Sequence, residues 1–134
     1  MRSIVYTDIS DPIRRAVEPI VVKWEHILPD WVRTLHVREL SHNDHAAEFT
    51  SQVRYRAATL HVAKIALAQA DLEGTIVHEF CHAYTTPCAE PGKDYLKAHK
   101  VEGADLETAW ARMDDHVEAA TEDLKALILR LSAR

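Results

Sequence analysis

His78-Glu79-Phe80-Cys81-His82 is a His-Glu-x-x-His segment. On a helix, residues four apart share a face, so imidazoles at that spacing can ligate one tetrahedral zinc ion while the glutamate between them is directed at water on the metal. The chemistry this specifies is zinc-dependent hydrolysis, with His78 and His82 as ligands and Glu79 as general base. In a chain with nine histidines among 134 residues, coincidence would produce the pattern in roughly one chain in twenty of this make-up. The elements that position the segment therefore carry part of the argument.

Asp71 can cap a helix whose apolar side is Leu72, Ile76, Val77, Phe80, Cys81 and Tyr84, with Thr85-Thr86-Pro87 as its stop. This places the motif on a buried helix, where two histidines and a glutamate need partners to offset desolvation and a metal supplies them. Upstream, Asp11-Pro12 opens a helix through Ile13, Val17, Val21 and Trp24 that ends near Pro29, with Pro19 inside it as a point of kinking. Segments 31–38 and 47–56 alternate or are rich in β-branched and aromatic residues, and the turn-rich Ser41-His42-Asn43-Asp44 between them predicts a hairpin. A third strand is expected over 58–65, a loop over 88–95, and a long helix from about Asp105 close to the C-terminus. The predicted fold class is α+β: an N-terminal helix, a small three-stranded sheet, the motif helix and a long C-terminal helix.

With 134 residues and 47% hydrophobic content, the chain fits one domain over 1–134 with a single core. Its net charge of −5, with lysines and arginines dispersed, offers no footprint for nucleic acid or an anionic membrane. The N-terminus lacks the apolar run of a signal peptide and no segment is apolar over a membrane-spanning length, so a cytoplasmic location is expected. Two cysteines, Cys81 and Cys88, do not make a disulfide framework and read as free thiols. A Cys81/His82/Cys88/His99 structural zinc site matches no common finger or ribbon spacing and would discard His78.

Catalytic zinc takes three protein ligands and keeps a position for water, so a downstream residue has to complete the site. The C-terminal helix has an apolar stripe running from Leu106 through Trp110, Met113, Val117, Leu124 and Ile128 to Leu131. At about 100° per residue, Asp114 and His116 flank that stripe on opposite sides, while Glu118, Asp115 and Glu122 turn toward solvent. Geometry leaves Asp114 and His116 both open.

The element order, with His-Glu-x-x-His on the helix after the third strand, resembles the minimal zincin fold of small metallopeptidases. The likeness is to stand-alone phage and bacterial zincin-like domains, and His78-Glu79-Phe80-Cys81-His82-Ala83 also resembles the SprT-like family. It extends over residues 11–130 in layout and is sharp over 76–84. The resemblance implies a zinc metallopeptidase acting on a peptide or protein substrate, with Glu79 as base and the strand over 58–65 as the edge that receives the peptide. It also implies an acidic third ligand followed by apolar or small residues three, six and seven positions on. Asp114, followed by Val117, Ala120 and Thr121, ranks first on this pattern. Glu118, which also forms a Glu118-x-x-x-Glu122 spacing found in some zincins, ranks second, and His116 third; His99 is displaced from the place of the SprT-like third histidine. There is no zinc ribbon, so the DNA-repair role of SprT-like proteins is not implied. Tyr95, His99 and His116 are candidate oxyanion donors, whereas His26, His36, His42, His45 and His61 have no spacing that implies chemistry and read as structural. The alternative is a non-enzymatic binding or regulatory protein with a closed, structural zinc.

Overall fold

Alternating apolar residues build one mixed sheet in the computed structural model, which describes residues 1–99 and 102–133. Its strands are β1 (Ser3–Tyr6), β2 (Thr34–Glu39), β3 (Ala47–Gln52) and β4 (Ala57–Val62), arranged in the order β1-β2-β4-β3. β1 and β2 are parallel, as are β2 and β4, while β3 runs antiparallel to β4. The fold is α+β, with a fourth strand beyond the three expected. The missed strand, β1, has only four residues, too few for its alternation to stand out.

The expected hairpin between 31–38 and 47–56 does not form. β2 pairs instead with β4, in the register Leu35↔Ala58 and Val37↔Leu60. The hairpin is β3 with β4, closed by a short 3-10 turn (Val53–Tyr55) and by Arg56 in the left-handed conformation at φ 52°. The local turn signal at Ser41–Asp44 was real, but a central strand with two neighbours buries more apolar surface than a two-stranded ribbon does. Leu35, Val37, Ala58, Leu60 and Val62 are all at 0% exposure as a result.

Helix α1 (Asp11–Trp24) buries Ile13, Val17, Val21 and Trp24 along one stripe and carries Pro12 in its first turn, with Ser10 rather than Asp11 at the cap position. Helix α2 (Leu72–Ala98) carries the motif, and α3 (Gly103–Ser132) is the long C-terminal helix. Asp71 caps α2 as expected: its Oδ1 accepts from the Gly74 amide at 2.9 Å. The stop at Pro87 is overturned, because α2 continues through both Pro87 and Pro91 and occupies the predicted 88–95 loop. A proline inside a helix removes one backbone bond and costs about 3 kcal/mol, which is offset here by packing of the same segment.

By internal contacts the chain divides into two compact units, Met1–Ala83 and Tyr84–Arg134. The first holds the sheet, α1 and the opening turns of α2, and its core adds Ile76, Val77, Phe80 and Cys81 to the α1 and sheet residues. In the second, the later turns of α2 run antiparallel to α3. Thr85 and Thr121 share a hydroxyl hydrogen bond at 2.7 Å, Met113 abuts Gly92, and Lys97 lies 5.0 Å from the centre of the Trp110 ring. Gly103 opens α3 at φ +65°, a conformation that glycine adopts without strain. Among the described residues, no helix is long and apolar enough to cross a membrane.

Candidate metal centre

On α2 the 3.6-residue repeat separates two faces. Ile76, Val77, Phe80, Cys81 and Ala83 point into the core, and His78, Glu79 and His82 are half-buried beside them. The motif is therefore not sunk in the apolar interior as its sequence setting predicts. It sits at the margin, where side chains keep access to solvent and to a ligand.

The ligand-type atoms of His78, Glu79 and His82 all lie within 4.8 Å of one another. The two imidazole centres are 4.9 Å apart and the rings are inclined at 79°. Both rings can thus reach one ion at the usual zinc–nitrogen distance of about 2.0–2.1 Å. Two imidazoles and a carboxylate are the borderline nitrogen and oxygen donors that suit Zn2+, so the residues present fit that ion.

The surroundings of the site come from the sheet. Phe80, between the motif residues, meets Phe49 of β3 edge to face at 6.2 Å, which brings β3 alongside the helix. β4, the strand over 58–65 expected to be the receiving edge, is instead internal, flanked by β2 and β3. The edge on this side is β3. The Ala63 amide donates to the Ala46 carbonyl at 2.8 Å, and in an antiparallel ladder such bonding alternates every second residue. The backbone groups of Glu48, Thr50 and Gln52 therefore face β4, and those of Ala47, Phe49 and Ser51 face outward. Sequence reasoning missed this edge because it assigned 47–56 to a hairpin with 31–38.

No family model, curated protein or solved structure matches this chain. The chemistry of the site rests on its own residues.

The remaining candidates lie in the second unit. Asp114 is on α3 with its side chain 62% exposed, and its Oδ1 accepts from Lys93 Nζ at 2.7 Å. Glu118, one turn further along, is exposed. His116 lines a groove of about 370 Å³ with Tyr84, Cys88, Met113 and Val117. His99 follows the end of α2, its ring stacked on Tyr95 at 4.0 Å between centroids. Cys81 is buried and Cys88 is exposed, both as free thiols.

Proposed function

We propose that this chain is a cytoplasmic zinc-dependent metallopeptidase of minimal zincin type, which hydrolyses peptide bonds with Glu79 as general base. The observation that carries this reading is the convergence of two imidazoles and one carboxylate within 4.8 Å on a single helix face. The open edge of β3 supports it further: outward amides and carbonyls at Ala47, Phe49 and Ser51 can pair with an extended peptide by strand addition. His78 and His82 would hold the ion, and Asp114 is carried as the third ligand, ahead of Glu118 and His116. For Asp114 to ligate, it must exchange its ion pair with Lys93 for the metal.

Zn2+, when bound, acidifies water and polarises a carbonyl oxygen. Glu79 takes a proton from water as its oxygen adds to the scissile carbonyl, and returns it to the departing amine as the carbon–nitrogen bond breaks. Water is consumed and two peptide ends are formed, and Glu79 ends in its starting state.

Zinc content and cleavage of an unfolded protein substrate, measured together, test the proposal. Glu79→Gln should keep the zinc and lose activity by about 10²- to 10⁴-fold, whereas His78→Ala should lose both. Asp114→Asn should weaken zinc binding if the third ligand is correctly assigned. Zinc bound by a wild-type protein with no cleavage would establish a structural ion instead, and no zinc at all would remove the reading.

A further inference from the structure

The loop between β2 and β3 and the face of the sheet beneath it gather side chains that the His-Glu-x-x-His motif does not use. His42 and His45 lie in this irregular loop at residues 41–46, and Glu48 is the second residue of β3. Both imidazoles turn to the same carboxylate oxygen: His42 Nε2 is 4.0 Å and His45 Nε2 is 3.8 Å from Glu48 Oε1. The rings are 6.3 Å apart between centroids and inclined at 72°. His61 of β4 stands directly across from Glu48 in the ladder, and its Nδ1 is buried without a hydrogen-bond partner. Arg38, the neighbour of His61 on β2, donates to Asp8 Oδ2 at 2.8 Å, so its charge has a carboxylate of its own.

We infer that His42, His45 and Glu48 form a second metal site, for a divalent first-row ion such as Zn2+ or Cu2+, on the sheet face opposite the one that bears Phe49. Donors held by one tetrahedral ion stand about 3.3 Å apart. Each imidazole nitrogen has to close on the carboxylate oxygen by about half an ångström, and the two rings, 6.3 Å apart between centroids, have to close on each other by more. The side chains are 39–65% exposed, so rotation of their torsions can supply this without moving the core. His42 Nδ1 is 3.5 Å from Asp44 Oδ2 and accepts from the Asp44 amide at 3.4 Å. With a metal on Nε2 the ring proton moves to Nδ1, which gives up the long bond from the Asp44 amide and donates instead to the Asp44 carboxylate. His61, paired with Glu48 across the ladder, is a further imidazole on the same face of the sheet.

The site is independent of His78 and His82, and the experiment separates them. Zn2+ is titrated calorimetrically into metal-free H78A/H82A protein, with backbone amide NMR to locate the bound ion. One equivalent should bind, with shifts confined to residues 41–48 and 61, and the equivalent should disappear when H42A/H45A is added. Asp44→Asn should weaken that binding by about 10-fold. If H78A/H82A does not fold, the wild type is compared with H42A/H45A, whose loop changes leave the core intact; the stoichiometry should fall by one, whatever the occupancy at His78 and His82. No binding to folded H78A/H82A protein, or an unchanged stoichiometry in H42A/H45A, overturns the inference.

Discussion

Glu73 shows how a single oxygen can join two helices. Its Oε1 accepts from Lys23 Nζ and from Trp24 Nε1, each at 2.6 Å, so the last turn of α1 is tied to the first turn of α2 just ahead of the motif. The hydrogen bonds from Lys23 and Trp24 favour the charged form and hold the carboxyl below its ordinary value of 4.5. A carboxyl depressed in the folded state contributes stability that is fully present above 4.5 and is lost as pH falls through the folded value. Glu73→Gln should therefore lower stability in denaturant at neutral pH and flatten its decline on acidification. The two proteins should converge once the wild-type carboxyl is protonated. Because Glu73 and Lys23 are both substantially exposed, the neutral-pH loss should be modest; a decline as steep as wild type's would show that other carboxyls govern it.

At the scale of elements, α2 departs furthest from its local code. Pro87 cannot donate to the Ala83 carbonyl and Pro91 cannot donate to that of Pro87, yet the helix spans 27 residues. Packing against α3 in the second unit compensates, and Thr121 is central to it. Thr121 is the buried residue of α3; its Oγ1 bonds Thr85 Oγ1 at 2.7 Å and the Val117 carbonyl at 2.6 Å. Thr121→Val keeps the shape and removes both bonds, so a loss of about 1–2 kcal/mol is expected in urea unfolding. Helical content lost from α2 alone should be visible by amide exchange over residues 85–98. An unchanged exchange pattern would mean that apolar contacts such as Met113 on Gly92 suffice to hold the prolines in the helix.

At the scale of the whole molecule, the first strand is secured by a contact between residues far apart in the chain. The Arg2 guanidinium donates to the carbonyls of Glu25, Leu28, Pro29 and Val32, gathering the turn after α1 onto the start of β1. Charged donors on part-buried carbonyls each matter more than neutral ones, so Arg2→Ala should cost about 2–3 kcal/mol of global stability, measured by thermal or urea unfolding. Arg2→Lys should recover little of it, since one ammonium cannot match the five fixed donors of a guanidinium. What the sequence determined by itself is local: the amphipathic stripes of α1 and α2, the Asp71 cap of α2, the long run of α3, and the His78, Glu79 and His82 triplet, all set by spacings of three and four residues. Tertiary structure decided the rest. Pairing of β2 with β4 made the 58–65 strand internal and β3 the edge. It also brought His42, His45, Glu48 and His61 to one face, although their spacing along the chain carries no signal. The physical reason is that a helix face is fixed by neighbours one turn away, whereas strand order and cross-strand clusters depend on how much apolar surface distant segments bury together.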